Sequence, residues 1–307
     1  MNEPGDGTAT PPGKPNAKPA LLGVACGIGA ALFWALGFVA TRHGLKVGFT
    51  PPDLLMHRFV WSGFAFLPLV LRAGIGNLCG IGWGRGLVLM VLGGPVMSLI
   101  SYTGFLFVPL GHGSVIQPSS ATLGGLLFAA VFLHERVPPS RVLGAVVIVA
   151  GLAVIGAESI GHIGAAGVLG DLLFVMTGMM FAVFGTLLRH WRVSAFAAAT
   201  AISVVSLALL PLYAASGGFA RVAALGLTEN VLQALGQGLL AGPAAMYLFA
   251  FSIQTLGVAR AAVFPATVPA LTILIGWLLL GEPPTALQAA GLVTVLCGFY
   301  LAQRQRG

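Results

Sequence analysis

A few polar side chains stand inside otherwise apolar stretches of this sequence, and in an apolar medium such groups are where chemistry is concentrated. Arg58 follows Asp53 by five residues, about 7 to 8 Å along a helix rising 1.5 Å per residue. Its guanidinium either snorkels to the nearer interface or faces a cavity and anchors an anionic, carboxylate-bearing group. His57 is adjacent in sequence but points about 100° away, so the two do not form one site. Gln117 precedes Pro118, and Gln237 lies upstream of Pro243; both suit solute contact or interhelical hydrogen bonding. Tyr102 and Tyr247 each share a helix face with a proline, Pro95 and Pro243. Trp34, near the middle of its stretch, fits packing or cavity lining. The candidate substrate contacts are therefore Trp34, Arg58, Tyr102, Gln117, Gln237 and Tyr247. Asp171 is read as the one carboxylate within an apolar stretch, where it complements a helix dipole or serves as a proton-coupling candidate.

The elements that position these groups occur twice. Glu135 and Glu282 close long apolar runs, and 282 − 135 = 147; Pro118 and Pro265 interrupt those runs, and 265 − 118 = 147. Arg42-His43 and Arg189-His190 repeat at the same offset, and Gly94-Pro95 matches Gly242-Pro243 with one residue of slippage. Each proline removes an intrahelical hydrogen bond, so Pro95, Pro118, Pro243 and Pro265 are expected helix breaks that gate a solute path. Duplicated apolar segments broken at matching positions are the sequence sign of inverted-repeat transport architecture.

Composition fixes the medium. Mean hydropathy is +0.97, 57% of residues are apolar and only 7% are charged, against roughly a quarter charged in soluble domains. Lipid demands closed barrels or helices, and runs of about 20 residues without alternation are helices. The 15 Lys and Arg residues are scattered singly, which excludes a nucleic-acid stripe. Three far-separated cysteines, Cys26, Cys79 and Cys297, give no disulfide framework or metal site. No phosphate-binding loop occurs, and no cofactor is expected.

Ten spans are expected, at 20-42, 53-72, 86-107, 112-133, 140-157, 166-189, 194-215, 231-256, 258-280 and 285-302. Residues 1-19, rich in Pro, Gly, Thr and Asn, read as a disordered cytoplasmic tail; the apolar stretch after it is too long for a cleavable signal. Asp53, Ser140 and Thr285 are expected N-caps. With the N-terminus inside, eleven Lys and Arg residues fall on the cytoplasmic side and only Arg42, Lys46 and Arg221 outside, so both termini are cytoplasmic by the positive-inside rule. Five spans per repeat, an odd number, make the duplication inverted.

Leu110-Gly111 through Pro118 to His134-Glu135, and Leu256-Gly257 through Pro265 to Gly281-Glu282, each followed by a Pro-containing turn into a Gly-rich helix, resemble the EamA-type drug/metabolite transporter superfamily. Arg58 and Gly170-Asp171 also look like family positions, and the resemblance covers 20-302. It implies an all-α membrane protein of about ten transmembrane helices in two inverted five-helix repeats, 20-157 and 166-302. It further implies an inner-membrane permease for a small organic solute, working by alternating access, with export as the direction.

The partners expected are a small-molecule substrate and the lipid bilayer, with a homodimer left open. Amino acids, other metabolites and amphiphilic toxic compounds suit the few charges better than polyanions do. An intramembrane enzyme is disfavoured because His134-Glu135 lacks a second zinc-binding histidine and no nucleophile elbow occurs. A structural or lipid-scrambling role is the other rival. The orientation predicts that a reporter fused after Gly307 reads as cytoplasmic and that cysteines placed near Lys46 and Arg221 label from outside; labelling of both loops only from the cytoplasmic side would reverse the topology.

Overall fold

The computed structural model describes residues 17–132, 134 and 137–303. Within them ten helical spans are long and apolar enough to cross a membrane: Ala20–Val47, Pro51–Ala73, Trp83–Gly104, Leu110–Phe132, Pro139–Ile163, Ala165–Trp191, Ala195–Ala215, Leu227–Leu256, Val263–Leu280 and Ala286–Gln303. They are numbered first to tenth here. Residues 1–16 and Glu135, both subjects of sequence expectations, lie outside the described residues.

Local sequence explains most of the boundaries. The second span starts at Thr50, not at Asp53: Thr50 is the N-cap, Pro51 and Pro52 fill the first helical positions, and Asp53 closes a capping box on the Thr50 backbone N–H at 2.8 Å. The helix after Pro138 starts at Pro139, so Ser140 is inside it and not its cap. Thr285 does cap the tenth span, its Oγ1 accepting from the Gln288 N–H at 3.1 Å. The first span runs five residues beyond its expected end to Val47, because Arg42 and Lys46 are held by Glu282 on its last turns. The fifth span also extends: its α-helix ends at Glu158, which is therefore inside a span, and a π-helical turn at Ser159–Ile163 follows. Asp171 is thus not the one carboxylate within a span.

The packing shows the inverted repeat directly. The first span packs on the eighth and ninth, and its repeat mate, the sixth, packs on the third and fourth. The two pairs that are their own mates, second with seventh and fifth with tenth, also pack together; a pseudo-two-fold relation requires the contacts of the first span to be matched by those of the sixth, as they are. Glycine makes the fifth–tenth contact close. A Cβ on Gly144 would stand 2.7 Å from the Gly298 carbonyl oxygen, and one on Gly298 would stand 2.9 Å from that of Gly144. Gly151 and Gly291 are related in the same way, at 2.9 and 3.0 Å. Since 291 − 144 = 147 and 298 − 151 = 147, both crossings are made by repeat mates, with the mates Ile148 and Val295 fully buried between them.

In lipid, close backbone approach replaces hydrophobic burial as the association force, so these glycines carry the contact. Gly151→Leu is expected to destabilise by about 1–3 kcal/mol through overpacking, seen as a lower unfolding temperature in detergent. Gly156→Leu, with nothing within 4 Å of its Cβ direction, is the matched control and is expected to leave that temperature nearly unchanged.

Candidate functional site

The third and eighth spans break at their matched Gly-Pro pairs. Gly94 turns to φ −119°, ψ −139° and Pro95 starts a new helix, Pro95–Gly104. Gly242 turns to φ −91°, ψ −107° within a π-helical stretch, Ala234–Ala244, and Pro243 follows. Proline contributes no N–H and the glycine leaves helical geometry, so carbonyls of the preceding turn lose their helical donors. Close to the eighth-span break another helix supplies a donor: Arg58 Nη1 of the second span donates to the Gln237 carbonyl at 3.0 Å.

The Gln237 side chain, 2% exposed, extends the same group across the bundle. Its Nε2 donates to the Gly37 carbonyl at 3.0 Å and to Thr41 Oγ1, both on the first span. Its Oε1 accepts from the Tyr102 hydroxyl of the third span at 3.3 Å. Three of the sequence candidates, Arg58, Tyr102 and Gln237, therefore meet at one broken helix. Gln117, on the fourth span, is not among them; its Oε1 accepts from Ser101 Oγ at 2.9 Å. His57 faces elsewhere, toward Asn230 and Trp61.

Other candidates stand apart from this group. Trp34 packs edge-on against Phe249 at 5.1 Å beside Ala31, Ala35 and Val268, and Tyr247 is 63% exposed. Pro118 lies within the continuous fourth span, whereas its mate Pro265 occupies the first turn of the ninth, where its missing N–H costs no helical bond. Asp171 joins a separate buried cluster, accepting from Ser159 Oγ at 2.6 Å and facing His112 Nδ1 at 2.9 Å.

The symmetric breaks carry unlike chemistry. The repeat mate of Arg58 is Val205, since 58 + 147 = 205, and a Cβ on Gly94 would meet Met90 and Ile202. Arg58 has no carboxylate within ion-pair distance among the described residues; its guanidinium is charged at all relevant pH and carries five donors. A cation so placed in the bundle, held by a carbonyl and a broken helix, has capacity left for an anionic group.

The model of the EamA-like transporter family matches residues 21–157 and again 168–303. The chain belongs to the EamA-like transporter family. An uncharacterized transporter of Archaeoglobus fulgidus is 25% identical over 285 residues, spanning 89% of this chain and 96% of that protein. A solved crystal structure, 21% identical, covers 94% of this chain and 96% of its own with a TM-score of 0.59, a likeness of fold. This EamA-like protein is a multi-pass membrane transporter.

In the transporter, the end of the bundle opposite the chain termini, here the distal end, is tied by charge. Glu282, between the ninth and tenth spans, accepts from Arg42 Nε at 2.9 Å and pairs with Lys46 Nζ at 2.6 Å. Arg42 Nη1 also donates to the Phe105 carbonyl at 2.9 Å. His43 Nε2 lies 2.8 Å from Glu229 Oε2, and Arg221 grips Asp53 through Nε and Nη2, with the Tyr213 hydroxyl donating to the same carboxylate at 2.7 Å. The Arg221 guanidinium is held further toward its charged form, chiefly by its hydrogen bond to Asp53.

Sequence reading assigned Arg42 and Lys46 only to topology; the pairing was not visible because Glu282 lies 240 residues from Arg42. Burial alone would push the Glu282 carboxyl up, but the hydrogen-bonded pairs with Lys46 and Arg42 outweigh it and hold it below its ordinary 4.5. A carboxylate depressed in the folded state contributes stability that is present above the unfolded value and lost as pH falls through the folded one. Glu282→Gln is therefore expected to cost on the order of 1 kcal/mol at neutral pH. The gap between variant and parent begins to shrink below pH 4.5 and closes once the lowered value is passed, as read by thermal unfolding across a pH series.

Proposed function

We propose that this transporter is a secondary permease that moves a small, carboxylate-bearing organic solute by alternating access, binding it at the eighth-span break. The observation that carries the reading is Arg58: a guanidinium without a carboxylate partner, beside a glutamine and a tyrosine already aligned on one another. An amino acid or a similar monocarboxylate fits, since Arg58 would take the carboxylate bidentately and Tyr102 and Gln237 would take neutral polar groups. Alternating access rests on the inverted repeat, whose matched breaks in the third and eighth spans allow one half to rock against the other around a fixed site.

The membrane, orientation and direction follow from other considerations. The excess of Lys and Arg toward the termini puts both termini in the cytoplasm and the distal end outside. The cell inner membrane and the outward direction of transport rest on the family resemblance. Within this reading Pro95 and Pro243, at the two breaks, shape the path.

Reconstituted liposomes loaded with labelled amino acids, nucleosides and cationic dyes test the solute class. Arg58→Gln is expected to raise the apparent KM for carboxylate-bearing solutes about tenfold or more, the loss of one charged hydrogen-bonded contact, and to leave neutral and cationic solutes nearly unaffected. Arg58→Lys, which keeps charge and loses the planar fork, is expected to fall between. Equal small effects of both variants on every solute would assign Arg58 to structure alone.

A further inference from the structure

A second polar group at the distal end is not used by the solute site. His112, on the first turn of the fourth span, is 0% exposed. Its Nδ1 faces Asp171 Oδ1 of the sixth span at 2.9 Å, and its Nε2 lies 3.5 Å from Glu158 Oε2 of the fifth span. That Nε2 is buried and has no hydrogen-bond partner. The neutral groups facing the cluster are Ser159, bonded to Asp171, and two donors from the tenth span. Thr285 Oγ1 donates to Glu158 Oε2 at 2.8 Å, and Gln288 Nε2 donates to Glu158 Oε1 at 3.1 Å.

The ring chemistry sets the proton count. Asp171 accepts, so Nδ1 carries a proton. In a neutral imidazole Nε2 would then be a bare acceptor aimed at a carboxylate oxygen, two lone pairs facing one another at 3.5 Å, too close for a bridging water. Two buried carboxylates around a neutral ring would also leave two uncompensated negative charges, which is costly in a low-dielectric interior. One more proton resolves both conflicts, either on Nε2 or on Glu158, and belongs to the pair.

The position of the pair gives that proton a mechanical meaning. His112 and Asp171 sit on the fourth and sixth spans, which pack together; Glu158 and its donors sit on the fifth and tenth, which pack together. The His112–Glu158 contact therefore bridges two helix pairs. A cleft of about 350 Å³ at the distal end, lined by Arg42, Gly111, Glu282, Thr285 and Gln288, reaches the two residues that donate to Glu158. We propose that the His112–Glu158 pair, oriented by Asp171, is a proton-binding site served from the distal cleft, whose occupied form holds the fourth–sixth and fifth–tenth helix pairs together. When the proton leaves, acceptor faces acceptor and the distal end loosens. This inference rests on the cluster alone and stands whichever solute Arg58 binds.

The test uses the full chain in lipid nanodiscs with 15N-labelled histidine, His112→Gln identifying the His112 signals. The expected result at neutral pH is a His112 ring protonated on both nitrogens, or a protonated-carboxyl infrared band that Glu158→Gln removes. In Glu158→Gln the new amide can donate to Nε2, so the ring is expected as the neutral Nδ1–H form. A parent protein with a neutral ring and an ionised Glu158 would overturn the proposal. The mechanical arm replaces Cys26, Cys79 and Cys297, introduces Leu110→Cys at the cleft, and follows labelling from water across pH. Labelling should rise severalfold with the same midpoint as proton loss, and should be independent of pH once either His112→Gln or Glu158→Gln is added. Labelling without pH dependence in the parent, or with the same dependence in both variants, would remove the proton site from the control of the distal end.

Discussion

A helix that breaks in the middle of a lipid bilayer must be met by polar groups from its neighbours, and beside the Gly242-Pro243 break Arg58 donates to the Gln237 carbonyl. That one bond joins two features that would each be unfavourable alone: a helix broken by Gly242 and Pro243 at membrane depth, and a guanidinium drawn out of water without a carboxylate partner. Each satisfies the other. The Gln237 side chain then ties the break to Gly37, Thr41 and Tyr102, so four spans converge where the backbone is least regular. Irregular backbone is tolerated in a bilayer only where protein or a cavity surrounds it, and here the surroundings are polar on one side of the pseudo-two-fold relation and apolar on the other.

That asymmetry separates what the duplication fixes from what it leaves free. The repeat fixes how the helices pack: Gly144 meets Gly298 and Gly151 meets Gly291 at the fifth–tenth contact, two crossings that the repeat exchanges, and the first and sixth spans make equivalent neighbours. It leaves chemistry free. Val205 stands where Arg58 would be repeated, and the Ile202 side chain meets Gly94 where Arg58 and Ser62 meet Gly242. A symmetric scaffold with one charged break can rock between two states while keeping a single solute site. At the distal end, ion pairs from Arg42 and Lys46 to Glu282 and from Arg221 to Asp53 join the first and second spans to the loops that follow the ninth and seventh.

Spans, the repeat and two of the four expected helix breaks were legible because they are local or periodic, while Pro118 and Pro265 leave their helices unbroken. The apolar runs locate ten helices by length alone, and the Gly94-Pro95 and Gly242-Pro243 breaks fall at the positions that the offset predicts. Pairings between distant residues were not legible. Nothing in the sequence distance of 179 residues between Arg58 and Gln237 says that they touch, although their shared membrane depth was available from the topology. His112 went unremarked because Gly-His-Gly at the start of an apolar run resembles a loop. Its signal lies in topology: residues 112, 158, 171 and 285 all sit at span ends on the same side of the bundle, so a histidine, two carboxylates and a threonine were bound to gather there. The fifth span's α-helix runs one residue past its expected end, to Glu158, and a π-helical turn then carries it to Ile163, which composition does not encode.

The central claim is that the two ends of this transporter open reciprocally around the Arg58 site, and spin-label distances in lipid test it most directly. One label pair at Val47 and Pro284 reports the distal end; their repeat mates, Ser194 and Val137, at 47 + 147 and 284 − 147, report the terminal end. The account predicts two populations in which a longer distal distance accompanies a shorter terminal one, with Glu282→Gln shifting weight toward the distal-open form. A single distance at both ends, unchanged by solute, pH and Glu282→Gln, would contradict it.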